Sequence, residues 1–185
     1  MDERKDFTYD NRHKAQERRR LLLLREGVTD KQSRSVGIAR RALELLHGNV
    51  MVYVSIGSEV GTHYLIDELF KRGFNVYAPY TVGGIITPRS IVKTDRPNKI
   101  GNLPENCYGL TEDSPKIDCC VTPLLGFNEK GYRIGYGMGC YDRFFLSNST
   151  FKIGLAFDCQ RTNFLPDTGD IPLDCCVTEK NVIYF

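Results

Sequence analysis

No stretch of this chain stays apolar for long. The longest purely aliphatic run is Leu21–Leu24, far short of the roughly 20 residues that a membrane-spanning helix needs. The first 20 residues are too charged for a secretory signal, so a cytoplasmic protein without membrane contact is expected. Histidine is scarce: the three residues stand at 13, 47 and 63 without clustering, and no C-x-x-C or H-x-x-x-H spacing occurs, which disfavours a structural zinc site. No G-K-[ST] follows the glycines near position 135, and a Walker-type phosphate loop is thereby excluded. A dinucleotide fingerprint fails as well, because Gly135-x-Gly137-x-x arrives at Cys140 where a third glycine is required.

What is present suits one globular domain. The chain has 185 residues, 41% hydrophobic and 26% charged, enough to bury a core without disulfides or metals. A single domain over residues 1–185 is expected, with polar residues 1–12 frayed. Seven cysteines is an odd count. The adjacent pairs Cys119-Cys120 and Cys175-Cys176 lie in β-branched contexts, where neighbours point to opposite faces, and read as buried reduced thiols. Residues 1–41 carry a net charge of +5, which leaves −3 for the remainder. Such a basic segment serves a phosphorylated ligand, a nucleic acid or only a solvated helix face.

Helical and strand periods alternate along the chain. Lys14–Arg25 reads as a helix packed through Leu21–Leu24, with Lys14 and Arg18 on one face. Thr29–Gln32 has the form of a capping box, followed by helical spacing at Val36, Ala39, Leu43 and Leu46 up to Gly48. Val50–Val54 reads as a strand, and the polar loop Ser55–Gly61 leads to Thr62 as N-cap of a helix reaching Gly73. Asn75–Ala78 reads as a strand stopped by Pro79, and residues 80–115 as loops with a hairpin. Lys116–Thr122, Phe151–Phe157, Leu173–Thr178 and Val182–Tyr184 complete the predicted strands. This order predicts an α/β fold, layered around a mostly parallel sheet. Glu59 then falls at a carboxyl strand edge, where ligands of open α/β sheets bind.

The stretch from Phe127 to Phe144 concentrates the chemistry. It holds Gly131, Gly135, Gly137 and Gly139, with Arg133, Asp142 and Arg143 around them. Glycines at alternate positions let backbone N–H groups turn toward an anion, and a helix starting near Gly139 adds its unpaired N–H groups and positive dipole end. Cys140 stands at that helix start, as packing or as a thiol of lowered pKa.

As a whole, this chain resembles the 5-formyltetrahydrofolate cyclo-ligase family, also called 5,10-methenyltetrahydrofolate synthetases. The resemblance rests on four blocks in order: Lys14 and Arg18; Ser58–Thr62; Pro123–Asn128 continued by Gly131, Arg133, Ile134, Gly135, Tyr136, Gly137, Gly139, Tyr141 and Asp142; and Ile153–Asp158 with Gln160, Pro166, Asp170, Asp174 and Thr178. Cys140 stands where the family usually has tyrosine, Met138 where it often has glycine or lysine, and the tryptophan many members carry is absent.

The resemblance implies an α/β/α sandwich similar to the ribose-phosphate isomerase and CoA-transferase group. It also implies ATP-dependent, Mg²⁺-requiring closure of 5-formyltetrahydrofolate, polyglutamylated or not, to 5,10-methenyltetrahydrofolate through a phosphorylated formyl (iminophosphate) intermediate. Lys14, Arg133 and Tyr141 would then act in catalysis. Lys14, Arg18 and the run Arg133, Ile134, Gly135, Tyr136, Gly137, Met138, Gly139, Cys140 and Tyr141 would contact ATP. Val54, Glu59, Tyr136, Gly137, Met138, Gly139 and Cys140 would face the folate, and Asp142 and Asp170 would hold Mg²⁺. The expected protein is a monomer that binds no nucleic acid. The alternative is a non-catalytic relative that binds nucleotide or nucleic acid through its basic N-terminal helix, although no aromatic residue interleaves the charges of Lys14–Arg25.

Overall fold

A computed structural model describes residues 3–93, 108–110 and 115–185, with side chains over 14–92 and 115–185. Its elements in order are α1 Glu3–Glu26, α2 Lys31–Leu43, β1 Asn49–Val52, α3 His63–Lys71, β2 Asn75–Val82, β3 Ile85–Lys93, β4 Tyr108–Leu110, β5 Cys119–Thr122, β6 Gly126–Phe127, β7 Arg133–Ile134, α4 Cys140–Ser147, β8 Phe151–Leu155, β9 Cys175–Val177 and β10 Val182–Tyr184. Eight strands form one sheet in the order β10-β9-β8-β5-β1-β2-β3-β4. The run from β9 to β2 is parallel, while β10, β3 and β4 pair antiparallel at the flanks.

Alternation along the buried strands sorts the core between the two faces. Val50, Val52, Cys119, Val121, Ile153, Leu155, Cys175 and Val177 meet Ile38, Ala39 and Ala42 of α2 and Leu65, Ile66 and Leu69 of α3. On the opposite face Met51, Tyr77 and Cys120 meet Phe144 and Phe145 of α4, and Cys176 packs with Leu124, Phe127 and Leu173. The two adjacent cysteine pairs do divide between the faces. All four of these thiols are free and buried, and burial raises their pKa, to about 12 for Cys175.

Several boundaries differ from the sequence expectation. Helix α1 begins at Glu3 rather than Lys14, since no glycine or proline interrupts residues 3–13. Its side chains before Lys14, like residues 94–107 and 111–114 of the predicted loop region, lie outside the described residues. The capping box at Thr29 does not form. Asp30 takes the N-cap position in the left-handed region without a side-chain cap bond, and Lys31 instead donates to the carbonyls of Glu26 and Val28 at 2.7 and 2.8 Å. Helix α2 ends at Leu43, well before Gly48. Thr62 is the N-cap of α3 by position, but its hydroxyl donates to the Tyr53 carbonyl at 2.8 Å and accepts from Ser55 N–H at 3.1 Å, fastening the loop after β1.

Pro79 does not stop β2. The strand runs to Val82 and turns through Gly83-Gly84 into β3, so the expected hairpin lies at the start of the 80–115 region. Val82 and Ile85 are opposed across a two-residue turn with φ of 57° and 80° at its glycines, a mirror-image turn that suits the strand twist and that glycine enters without strain. Pro79 faces Pro88, three pairs before the turn. Pairs alternate between bonded and non-bonded from the turn inward, which puts the prolines where no N–H is needed between the strands. On its other edge β2 pairs with β1 only up to Tyr77, so the missing N–H of Pro79 leaves no gap there either.

The topology locates the site. From β1 the chain proceeds outward to β2 on one side, while β5, on the other side of β1, leads outward to β8 and β9. The sheet changes direction between β1 and β5, and ligands in open α/β sheets bind outside the carboxyl ends of strands at such a reversal. The Ser55–Gly61 loop follows β1, and Pro123 with the glycine-rich stretch follows β5.

Candidate active site

Beyond the carboxyl edge lies a cleft of about 580 Å³, lined by the 133–143 segment, Lys14 and Arg18 of α1, the hairpin residues Pro79, Thr81 and Ile86, and Asp167–Asp170. Helix α1 reaches this edge because Leu21 packs against Leu125 and Ile134, which directs the side chains one and two turns earlier along α1 into the cleft. Lys14 is only 5% exposed. Its ammonium forms an ion pair with Asp167 and a second contact with Asp170 at 3.4 Å. Arg18 donates to the Gly135 carbonyl at 3.1 Å, and its guanidinium lies against Gly137, where a Cβ would come within 3.4 Å of it.

Arg133 is held from three directions. It donates to the Ile171 carbonyl and pairs with Asp142, both at 3.1 Å, and its guanidinium lies 5.8 Å from the Tyr141 ring and 5.2 Å from that of Phe145. Burial pushes the Tyr141 phenol well above its ordinary pKa, so at neutral pH it is a neutral hydroxyl able to donate. Arg143 donates to the Gly84 carbonyl at 2.9 Å and the Met138 carbonyl at 2.7 Å, which ties the hairpin turn to the glycine-rich loop. Among the described residues, none of the backbone N–H groups of Gly135–Gly139 is spent on a protein acceptor. Five successive donors without a partner, beside three cations, are groups that could hold an anion.

The acidic groups suit a hard cation. Asp142 uses Oδ1 for both Arg133 and the Ile171 N–H, and Asp170 uses Oδ2 for both Lys14 and the Asp167 N–H. Among the described residues, each keeps its second carboxylate oxygen without a protein partner. Among the described residues, no group of three potential ligands is assembled. The two free carboxylate oxygens are what Asp142 and Asp170 could offer a Mg²⁺ ion, which takes one or two carboxylates and completes its shell with water and phosphate oxygens.

Of the residues expected to contact ATP or metal, Lys14, Arg18, Arg133–Tyr141, Asp142 and Asp170 all line this cleft. Val54 and Glu59 do not. Val54 packs, half-buried, against the core cluster shared by the sheet, α2 and α3. Glu59 is 7% exposed and accepts from the Ile56 N–H at 2.8 Å and the Tyr136 hydroxyl at 2.9 Å, so it communicates with the cleft through Tyr136. Cys140 lines the wall with its thiol 3.9 Å from Arg143 Nη2, while Met138 is 65% exposed at the rim. Sequence reasoning missed Asp167 and the roles of Arg25 and Arg143. Arg25 within a basic helix and the arginine after Asp142 are visible in the sequence, but acceptors such as Ser58, Tyr136 and Gly84 are distant from them in it.

Fold and cleft together describe an α/β protein with a basic, glycine-lined cleft at the carboxyl edge of its sheet. The chain matches the 5-formyltetrahydrofolate cyclo-ligase family over residues 10–179. It is 31% identical to the probable 5-formyltetrahydrofolate cyclo-ligase of Caenorhabditis elegans over 153 residues, covering 72% of this chain and 74% of the relative. Against the corresponding Schizosaccharomyces pombe protein identity is again 31%, over 82% of this chain and 86% of the relative. The solved structure of 5,10-methenyltetrahydrofolate synthetase from Aquifex aeolicus superposes with a TM-score of 0.74 at 27% identity, covering 92% of both chains. This chain therefore belongs to the 5-formyltetrahydrofolate cyclo-ligase family.

Proposed function

We propose that this chain closes 5-formyltetrahydrofolate to 5,10-methenyltetrahydrofolate at the expense of ATP, releasing ADP and phosphate. The observation that carries the reading is the unspent N–H run of Gly135–Gly139, with Lys14, Arg18 and Arg133 around it in one cleft. A formamide oxygen is a poor leaving group. Transfer of the γ-phosphoryl group onto it makes an iminophosphate, N10 then attacks the formyl carbon, and the C–O bond breaks with loss of phosphate and of the N10 proton. Such chemistry depends on positioning and charge stabilisation more than on a protein nucleophile.

In this reading Lys14 and Arg18 exchange their present partners for phosphate oxygens, and the 135–139 backbone cradles the same group. Arg133 and the neutral Tyr141 hydroxyl lie where charge develops on the transferred group. Asp142 and Asp170 would hold Mg²⁺, which supplies neutralisation of phosphate charge. The pterin would lie against Tyr136, Met138 and Cys140, with Glu59 behind Tyr136. We take the chain to be a single-domain monomer of the cytoplasm, acting on folate with or without a polyglutamate tail. Binding of nucleic acid is not part of the reading, because Lys14, Arg18 and Arg25 are engaged toward the cleft rather than displayed on a solvated face.

The test is growth of 5,10-methenyltetrahydrofolate absorbance with purified, folded protein. Signal is expected only when 5-formyltetrahydrofolate, ATP and Mg²⁺ are all present, and its absence from the complete mixture overturns the proposal.

A further inference from the structure

Among the described residues, Arg25 is the largest fully buried side chain, 2% exposed, and no carboxylate of theirs touches it. Its guanidinium donates to Ser58 Oγ at 3.0 Å, the Leu124 carbonyl at 3.2 Å and the Tyr136 hydroxyl at 2.8 Å. These acceptors belong to the loop after β1, the segment after β5 and the glycine-rich loop. A buried cation is costly unless its donors are satisfied and its charge is balanced nearby. The balance is reached in one further step, since Tyr136 donates its own proton to Glu59 Oε1 at 2.9 Å.

This order of bonds is directional. A guanidinium only donates, so it occupies a lone pair of the Tyr136 oxygen and leaves the phenolic proton one destination, the Glu59 carboxylate. Glu59 Oε2 is fixed separately by the Ile56 N–H at 2.8 Å. Tyr136 itself stands 51% exposed on the cleft wall. Without the cation behind it, the ring would be free to turn with the loop, and Glu59 would lose its one side-chain donor among the described residues.

We infer that Arg25 is a positioning residue of the folate subsite: acting through Tyr136, it fixes the aromatic wall of the cleft and the orientation of Glu59. The inference deepens the cyclo-ligase reading above and rests on it. A charged donor bonded across the switch point on both sides couples the loops after β1 and β5, so the subsite forms as one unit.

A double-mutant cycle in the absorbance assay tests this. Arg25→Gln should raise the KM for 5-formyltetrahydrofolate by about tenfold or more, from the typical strength of a hydrogen bond to a charged group, while the KM for ATP rises by a clearly smaller factor, through the shared 135–139 loop. Arg25→Lys should recover only part of the loss, because one ammonium cannot span three acceptors. In a Tyr136→Phe background, which removes the shared hydroxyl, Arg25→Gln should add little further. Additive effects of the two substitutions, or equal rises in both KM values, overturn the inference. If Arg25→Gln does not fold, Ser58→Ala replaces it in the cycle with the same criteria at smaller magnitude. Turnover by the unsubstituted protein separates the two failures: without it the cyclo-ligase reading itself falls, whereas turnover with additive variants removes only the role of Arg25.

Discussion

Replacing Arg133 by methionine or by lysine separates its charge from its geometry. Its side chain is 5% exposed, against 23% for Asp142. Methionine fills similar space but leaves Asp142 with the Ile171 N–H alone. Breaking a fully buried ion pair costs about 3–5 kcal/mol, and the partial exposure of Asp142 brings that down to about 2 kcal/mol. Loss of the Ile171 carbonyl bond adds about 1 kcal/mol, and loss of the two ring contacts about 1 kcal/mol more. Arg133→Met should therefore unfold in urea with a stability lower by about 3–4 kcal/mol, a large share of the roughly 5–15 kcal/mol typical of domains. Arg133→Lys keeps the charge near Asp142 but cannot make both 3.1 Å contacts, and should lose only about 1–2 kcal/mol. In turnover the order differs. If the planar fork stabilises the transferring phosphoryl group, both variants should lose about 10²–10³-fold in kcat, as when one preorganised transition-state donor is removed. Lysine restoring near-normal kcat, or methionine leaving stability unchanged, would refute the reasoning.

Other perturbations test separate parts of the structure. Lys14→Gln should raise the KM for ATP by at least about tenfold, since it removes a charged phosphate partner and leaves Asp167 and Asp170 without their shared cation; an unchanged ATP KM removes Lys14 from the nucleotide site. Gly131 has φ of +81°, and an added Cβ would lie 2.8 Å from the Leu173 carbonyl oxygen, so Gly131→Ala should cost at least about 2 kcal/mol in urea denaturation; a loss below about 0.5 kcal/mol contradicts the described backbone. Burial raises the Cys120, Cys175 and Cys176 thiols above their ordinary 9.0. Because the folded state holds these protons longer than the unfolded chain, the stability they contribute is complete below about pH 9 and declines as pH rises toward about 12. Each contributes a slope of about 1.4 kcal/mol per pH unit. Under reducing conditions Tm should fall between pH 9 and 11, less steeply for Cys175→Val; a flat profile contradicts the burial.

Much of this was legible in the sequence where the signal is periodic or local. Alternating helix and strand periods led to the parallel sheet, the adjacent cysteines to the two core faces, and the four-residue spacing of Lys14 and Arg18 to one side of a helix. Local chemistry misled where tertiary contacts override it. Pro79 reads as a strand end, yet it sits where neither neighbouring strand needs its N–H. Thr29 and Thr62 read as caps, but the first is unused and the second is recruited by Tyr53 and Ser55. Arg25 looks like one more exposed base in a charged helix, because its three acceptors lie between 33 and 111 residues away. Glu59 was correctly located at a strand edge, but the Tyr136 hydroxyl that screens it belongs to a segment 77 residues later.

The hairpin of β2 and β3 has a consequence for motion. Beyond Tyr77, β2 has lost its β1 neighbour, so residues 78–89 hang from the sheet as a two-stranded ribbon, a unit of marginal stability by itself. Arg143 fastens its tip and Ile86 rests on the Phe144 cluster, while the parallel strands remain paired whether or not those contacts hold. The ribbon can thus open as a small cooperative unit at a free energy below that of global unfolding. Amide hydrogens of Tyr80 and Thr87 should exchange with solvent well before those of Val76 and Val121, and one wall of the cleft would then have a shorter structural lifetime than the parallel strands beneath it.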